Sequence, residues 1–157
     1  MYKKKILLPL MKDNINSSDI RNVINFLKKK PILTQSKKVL EFEKKWSKWL
    51  GVKYSIFVNS GSSANYLTLA AVKILYGTGE VIVPPLTWNS DIVSVINNGF
   101  KPIFVDINLS NLSMNTNQVL KKINKKTKAV FITHAQGFNG LNKNFLQTLN
   151  KKKIILI

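Results

Sequence analysis

The sequence predicts an α/β fold with a mostly parallel sheet that is flanked by helices on both faces. From residue 54 onward, short apolar segments alternate with longer segments of helical spacing. The short segments are mostly apolar, which is typical of parallel strands that are buried on both faces. The chain has 157 residues, 45% of them hydrophobic, which is enough for one domain with a core.

A first helix is expected ahead of the alternating region. Ser17 or Ser18 is placed to cap it, and Pro31 stops it. Its apolar residues follow the three-four spacing of one helix face, which we expect to be buried. These residues are Ile20, Val23, Ile24 and Leu27.

A second helix begins after Ser36, which we expect to cap it, and ends at Gly51. Its apolar stripe contains Val39, Phe42, Trp46, Trp49 and Leu50. We expect the two tryptophans to anchor a core rather than to bind a ligand. The two helices together define an N-terminal helical segment, residues 1–52, which precedes the α/β region of residues 53–157.

The α/β region is expected to contain five strands and four helices. The strands cover residues 54–58, 80–83, 101–105, 129–133 and 154–157. The helices cover residues 62–76, 88–97, 118–123 and 143–149. Turn-forming residues separate these elements, as at Pro84-Pro85 and at Asn98-Gly99.

The net charge of +18 raises the question of nucleic-acid binding. Arg21 is the only arginine, whereas base recognition and phosphate binding favour arginine. The lysines are dispersed along the chain, so solvated lysine surfaces explain the charge better than a nucleic-acid site. A basic, non-enzymatic α/β binding module stays an alternative, and its affinity for nucleic acid would fall steeply with salt.

Composition also bears on the location of the protein. No apolar run approaches the roughly 20 residues that a membrane helix needs, and the opening "KKKILLPL" is too short for a signal sequence. The chain has no cysteine, which excludes disulfides and thiolate metal sites. We therefore expect a cytoplasmic protein that has neither a membrane segment nor a metal site.

Candidate binding residues follow the predicted strands, because ligands bind beyond the carboxyl ends of the strands in such sheets. After the first strand, Gly61 lets a ligand approach the backbone closely. Ser62 and Ser63 begin the next helix, where free backbone N–H groups and the helix dipole favour an anion such as phosphate. The alternative is ordinary capping by Ser60 or Ser62, which the segment alone favours.

Three further residues lie at predicted strand ends. Trp88 follows a stiff double-proline loop, where its indole could stack on an aromatic ligand, and a core position is an equally good interpretation. Asp106 is expected to cap the turn that follows its strand. His134 is the only histidine, and it suits the lining of a site better than a metal site or a catalytic triad.

These segments, in this order, resemble a known family. They are "LTQSKKVLEFEKKWSKWLGVKYSIFVNSGSSAN", "GEVIVPPLTWNSDIVSVINNGFKPIFVDIN" and "TKAVFITHAQGFNGL". The chain is similar to the DegT/DnrJ/StrS family of sugar aminotransferases and dehydratases from about residue 8 to residue 157. The most specific parts of the resemblance are residues 60–64, 81–88 and 104–106. It implies the N-terminal part of the large domain of a type I pyridoxal-phosphate-dependent transferase fold, truncated at its C-terminus.

The resemblance implies that pyridoxal 5'-phosphate is the cofactor. By position, Ser62 and Ser63 would bind its phosphate, Gly61 would allow the approach, and Trp88 would stack on its pyridine ring. His134 and Gly137 match a His-x-x-Gly pattern of the family. Gln136 departs from it, because family members often carry an aromatic residue there.

The activity that the resemblance implies is transfer of an amino group from an amino acid to a nucleotide-linked keto sugar, in polysaccharide or amino-sugar biosynthesis. A dehydratase of a nucleotide-linked keto sugar, with histidine in place of the cofactor-binding lysine, stays an alternative. No catalytic residue is expected within the chain, because the acid that pairs with the pyridinium and the catalytic lysine or histidine fall beyond residue 157. We therefore expect a fragment that folds poorly and is inactive alone, although full-length relatives are homodimers.

Overall fold

The structure is a computed structural model that describes residues 13–157. The opening "KKKILLPL", for which we predict no signal sequence, lies outside the described residues. The chain divides between Phe57 and Val58 into two compact units. The domain boundary that we predict from the sequence, after residue 52, stays a prediction.

The first unit contains helix α1, Ser17–Lys28. Its cap is Asn16 and not Ser17 or Ser18, which corrects the sequence prediction. The Asn16 side chain accepts hydrogen bonds from the backbone N–H groups of Ser18 at 2.8 Å and Asp19 at 3.2 Å. The Asp19 carboxylate accepts in return from the Asn16 N–H at 2.9 Å. This reciprocal capping box satisfies helix-end donors that a single serine would leave free.

Helix α2, Lys37–Leu50, follows in the same unit. Ser36 stands at its N-terminus without a capping side-chain bond, and its hydroxyl donates to the Ile32 carbonyl at 3.3 Å instead. The helix ends at Gly51, whose φ of +76° is the left-handed conformation that favours glycine at this position.

The prediction that the apolar stripes of α1 and α2 are buried was wrong for most of their residues. In α1, Ile20, Val23, Ile24 and Leu27 are all about half exposed. In α2, Trp46 is 45% and Trp49 is 74% exposed, so the tryptophans do not anchor a core. Their rings pack on each other at 4.9 Å between centroids. Helical spacing shows that a face is apolar but does not show which element covers it.

The strand predicted at residues 54–58 is also absent from the described structure. A strand needs a neighbouring strand to bond with its backbone, and here side chains of α2 take that role. The Phe57 N–H donates to a Glu43 carboxylate oxygen at 2.8 Å. The hydroxyl of Ser47 donates to the hydroxyl of Ser55 at 2.8 Å. The segment therefore packs along α2 as irregular chain.

The second unit, Val58–Ile157, is built on a four-stranded sheet in the order β2-β1-β3-β4. Its strands are β1 Glu80–Val83, β2 Lys101–Phe104, β3 Thr127–Val130 and β4 Ile155–Leu156. All three pairings are parallel. Its helices are α3 Gly61–Tyr76, α4 Asn89–Asn97, α5 Thr116–Lys122 and α6 Lys143–Lys151. The predicted parallel sheet flanked by helices is confirmed.

The strand β3 begins and ends earlier than the prediction of residues 129–133. Backbone pairing nevertheless continues past it, because the Phe131 N–H donates to the Ile82 carbonyl and the Ile132 N–H donates to the Ile157 carbonyl, both at 2.9 Å. This pairing carries the chain to Thr133 at the carboxyl edge of the sheet, where the candidate site lies.

The core of the second unit forms two clusters because neighbouring side chains of a strand point to opposite faces of a sheet. Val81 and Val83 pack with residues of α3 and α4, including Leu69 and Val95. Ile82 packs on the other side with residues of α5 and α6, which are Val119, Phe145 and Leu149. All three β1 residues are fully buried. Burial on both faces explains why Val81, Ile82 and Val83 are all apolar.

Between residues 13 and 157, no helix combines the length and the apolar character that crossing a membrane requires.

Candidate functional site

The N-terminus of α3 opens at the carboxyl edge of the sheet. Ser60 is its cap and accepts from the Ser63 N–H at 3.1 Å, so the capping that we weighed as an alternative does occur at Ser60. The Ser63 hydroxyl donates to the Asn59 side-chain oxygen at 2.6 Å. The N–H groups of Gly61 and Ser62 donate to no acceptor within the described residues. Capping and anion binding are therefore compatible, because they use different amides.

Gly61 faces open space. A Cβ atom built on it would meet nothing within 4 Å. Its φ lies outside the left-handed region, so the backbone does not require glycine there. The structure thus gives no folding reason for glycine at this position, and close approach of a ligand to its backbone stays a prediction.

Trp88 precedes α4 as its cap residue. Its indole is 78% exposed, so the alternative of a core tryptophan is wrong. The backbone of Trp88 is extended, with φ −71° and ψ 143°, which ends the rigid proline loop and begins the helix. The exposed indole leaves its ring accessible at the surface of the second unit.

An open cavity of about 340 Å³ lies beside Trp88. Its lining comes from the loop after β1 and from the segment after β3, two neighbouring strands of the sheet. The lining residues are Leu86, Thr87, Trp88, Thr133, His134, Ala135 and Gln136. The carboxyl edge of parallel strands is the place where such folds bind ligands.

Gln136 lies in a short 3-10 turn, Ala135–Gly137, which His134 directly precedes, and both residues line one side of this cavity. A ring nitrogen of His134, Nδ1, lies 3.2 Å from the Phe138 carbonyl. If Nδ1 donates to that carbonyl, Nε2 is left as an acceptor. Gln136 has a φ of +55°, a conformation in which non-glycine residues are uncommon.

Sequence reasoning missed two residues of this region, Asp91 and Asn65. The carboxylate of Asp91 accepts from the Asn65 side-chain amide at 2.6 Å and from the Thr133 hydroxyl at 3.1 Å. It also accepts from the Thr87 hydroxyl. An acid in the first turn of a helix reads as a favourable partner of the helix dipole. Nothing in the local pattern indicates partners that are 26 and 42 residues away along the chain.

The other residues singled out in the sequence have simpler roles. The Asp106 carboxylate accepts from the N–H of the next residue, Ile107, at 2.7 Å, and its capping of the turn stays a prediction. Throughout the part of the chain that the structure describes, no three His, Cys, Asp or Glu side chains are grouped so that they could hold a metal ion.

The chain is similar to several enzymes that act in nucleotide-sugar metabolism by their names. The chain is 28% identical to GDP-perosamine synthase of Vibrio cholerae over 131 residues, which are 83% of this chain and 35% of that protein. It is 31% identical to GDP-4-keto-6-deoxy-D-mannose 3-dehydratase of Yersinia pseudotuberculosis over 142 residues, 87% of this chain and 36% of that protein. The solved structure of the E. coli GDP-4-keto-6-deoxy-D-mannose-3-dehydratase with bound hydrated PLP superposes with a TM-score of 0.84 and 26% identity.

That superposition covers 94% of this chain and 39% of the dehydratase. The chain therefore spans between a third and two fifths of the length of these relatives. The model of the DegT/DnrJ/EryC1/StrS aminotransferase family matches residues 13–157. A match of that extent shows that the chain belongs to the DegT/DnrJ/EryC1/StrS aminotransferase family.

Proposed function

We propose that this chain is the cofactor-binding N-terminal part of an enzyme that uses pyridoxal 5'-phosphate to transfer an amino group to a nucleotide-linked keto sugar. The observation that carries the proposal is the exposed Trp88 beside a cavity at the carboxyl edge of the sheet. The proposal is supported by family membership and by the relatives that act on GDP-linked sugars.

The residues present fit the cofactor in two places. At the start of α3, the free N–H groups of Gly61 and Ser62 suit a phosphate, and the hydroxyls of Ser62 and Ser63 add hydrogen-bonding capacity. At the start of α4, the indole of Trp88 offers a flat face for a pyridine ring.

One hydrogen bond links these two places. Asn65 lies near the start of α3, Asp91 lies in the first turn of α4, and their side chains are 2.6 Å apart. The phosphate-binding candidates and Trp88 are therefore held in the same region of the second unit. One ligand that carries both a phosphate and an aromatic ring satisfies both.

When bound, pyridoxal phosphate supplies an electron sink for cleavage of a bond next to an amino group. The residues of this chain hold and orient it: the start of α3 through its amides, and Trp88 through its ring. His134 lines the same cavity, where its free ring nitrogen is available to accept a hydrogen bond from a hydroxyl group. We also propose that the protein works in the cytoplasm as a homodimer and takes its amino group from an amino acid.

A dehydratase is the second candidate, because two of the relatives named above are GDP-4-keto-6-deoxy-D-mannose 3-dehydratases. In the family, a lysine or a histidine at one position separates the two reactions, and we propose that the corresponding residue of this protein follows residue 157. Reading the gene past codon 157 tests both at once. The deciding position lies in the segment that follows an acidic residue after the next strand. Lysine there supports the aminotransferase, and histidine supports the dehydratase. A sequence with neither lysine nor histidine there would contradict both proposals.

Trp88→Ala is expected to weaken binding of pyridoxamine 5'-phosphate about tenfold, since ring stacking contributes about 1–3 kcal/mol. This ligand has no aldehyde and so does not react with the many lysines. Calorimetry on the longest form that the gene encodes measures the dissociation constant. Trp88→Phe should retain most of the affinity, and Trp49→Ala, which removes an exposed tryptophan of the first unit, should change nothing. Unchanged affinity in Trp88→Ala would contradict the stacking role.

Gly61→Ala separates phosphate binding from helix capping. Affinity for pyridoxamine 5'-phosphate is expected to fall at least fivefold, because the added methyl group occupies the open space in front of the free amides. Affinity for pyridoxamine, which lacks the phosphate, should stay the same. Stability should not fall and should rise by up to about 1 kcal/mol, because alanine is the better helix former. Equal affinity of Gly61→Ala and the unsubstituted protein for the phosphorylated ligand would support a capping role alone.

A further inference from the structure

A buried polar cluster lies behind the cavity. It consists of Asp91, Asn65, Thr87 and Thr133, and we call it the Asp91 cluster. Asp91 is 6% exposed, and one oxygen of its carboxylate faces the Asn65 amide while the other faces the two threonine hydroxyls. The two hydroxyls also contact each other. Every member of the cluster therefore has a hydrogen-bond partner within it.

The cluster joins three segments that carry the proposed binding residues. Asn65 belongs to α3, whose first residue is Gly61. Thr87 directly precedes Trp88, and Thr133 directly precedes His134. The carboxylate at its centre thus connects the phosphate-binding candidates, the stacking ring and the far wall of the cavity.

A buried carboxylate allows few arrangements of its neighbours. Removing a carboxylate from water is costly unless hydrogen bonds replace the hydration. The four side chains of the Asp91 cluster satisfy one another's hydrogen bonds. They therefore favour one relative placement of the three segments, because any other placement would break at least one of these bonds. Asp91 itself is not among the residues that line the cavity, whereas Thr87 and Thr133 are.

We propose that Asp91 is a positioning residue that holds the start of α3 and Trp88 at the separation that a phosphorylated aromatic ring requires. This inference rests on the proposed function and extends it to a residue that does not touch the ligand. A ligand with two linked groups gains affinity only where the two subsites are held at a fixed separation that matches the ligand. Once the first group is bound, the second group then loses little further conformational entropy on binding. Loosening the Asp91 cluster should leave each subsite intact and remove the advantage of linkage.

The test compares one linked ligand with its two halves. Asp91→Ala should weaken pyridoxamine 5'-phosphate at least tenfold. The affinities for pyridoxamine alone and for inorganic phosphate alone should change less than about twofold. In the absence of ligand, amide hydrogen exchange in residues 86–91 should become faster. Asp106→Asn is the control, since it alters an acid whose side chain bonds only to the N–H of the next residue, and it should change none of these values.

Two results would overturn the inference. One is unchanged affinity of Asp91→Ala for pyridoxamine 5'-phosphate. The other is an equal loss for pyridoxamine alone, which would mean that Asp91 contacts the ring directly. Where Asp91→Ala does not fold, Asn65→Ala decides, because it removes only the bond to α3 and should show the same pattern with at least a threefold loss for the linked ligand.

The outcome is distinguishable from failure of the proposed function. If the unsubstituted protein binds pyridoxamine 5'-phosphate and Trp88→Ala weakens that binding, the proposed function stands whatever Asp91→Ala does. If the unsubstituted protein does not bind the ligand, the proposed function fails and the role of Asp91 as a positioning residue falls with it.

Discussion

Phe145→Ala is expected to lower the free energy of unfolding of the second unit by about 3–5 kcal/mol. Phe145 lies on α6 and is 1% exposed. It belongs to the cluster that packs α5 and α6 on one face of the sheet, together with Ile82, Val130 and Leu149. Truncation removes the transfer free energy of the ring and leaves a cavity that the surrounding strand and helix cannot close.

Urea denaturation of the variant and of the unsubstituted protein, followed by far-ultraviolet circular dichroism, measures this difference. Phe138→Ala is the matched control, because it removes the same ring from a position that is 50% exposed. Its cost should be about 1 kcal/mol or less. If the two phenylalanine variants lose equal stability, the packing of α6 against the sheet is contradicted.

Gly79→Ala has the second largest expected effect, a loss of about 1–3 kcal/mol or more. A Cβ atom at residue 79 would lie 2.3 Å from the backbone carbonyl oxygen of Lys126 and 2.9 Å from Cγ of Lys128. The same carbonyl accepts a hydrogen bond from the Glu80 N–H at 2.8 Å. The methyl group therefore pushes directly against the first bond that pairs β1 with β3.

This position has little freedom to relax. The pairing of β1 with β3 already shifts its register between Glu80 and Val81, so the chains approach closely where β1 begins. The measurement is the melting temperature of Gly79→Ala, with Gly61→Ala as the control. A Cβ atom at residue 61 meets nothing within 4 Å, so the control substitution should not destabilise the protein. If Gly79→Ala melts at the same temperature as the unsubstituted protein, the close approach of the two chains at residue 79 is contradicted.

Local pattern was sufficient for most of the second unit. The apolar run at Glu80–Val83 predicts its strand correctly because burial on both faces leaves a signal that needs no knowledge of the neighbours. Helix α3 was predicted to within one residue, since both ends carry local signals in Ser60 and Gly77. The double proline before Trp88 left an exposed position and a core position equally open, and only the structure shows that the residue is 78% exposed.

Local pattern failed where a long-range partner decides the outcome. The apolar segment 54–58 has strand composition, but the Phe57 N–H and the Ser55 hydroxyl bond with side chains of α2. The stripe of α2 has correct helical spacing, yet Trp49 is 74% exposed. Residue type and spacing show which side chains a segment can bury and which bonds it can form. They do not show which other element it contacts.

The order of residues alone was enough to identify the α/β class, the start of α3 to within one residue and the family resemblance, because each depends on neighbours within a few turns of chain. Tertiary structure alone revealed that Asp91 connects Asn65, Thr87 and Thr133, and that the cavity beside Trp88 is closed by the segment after β3. The reason is physical: a buried carboxylate is tolerated only where donors from distant segments converge on it. That convergence depends on how the sheet and helices pack, which no stretch of a dozen residues encodes.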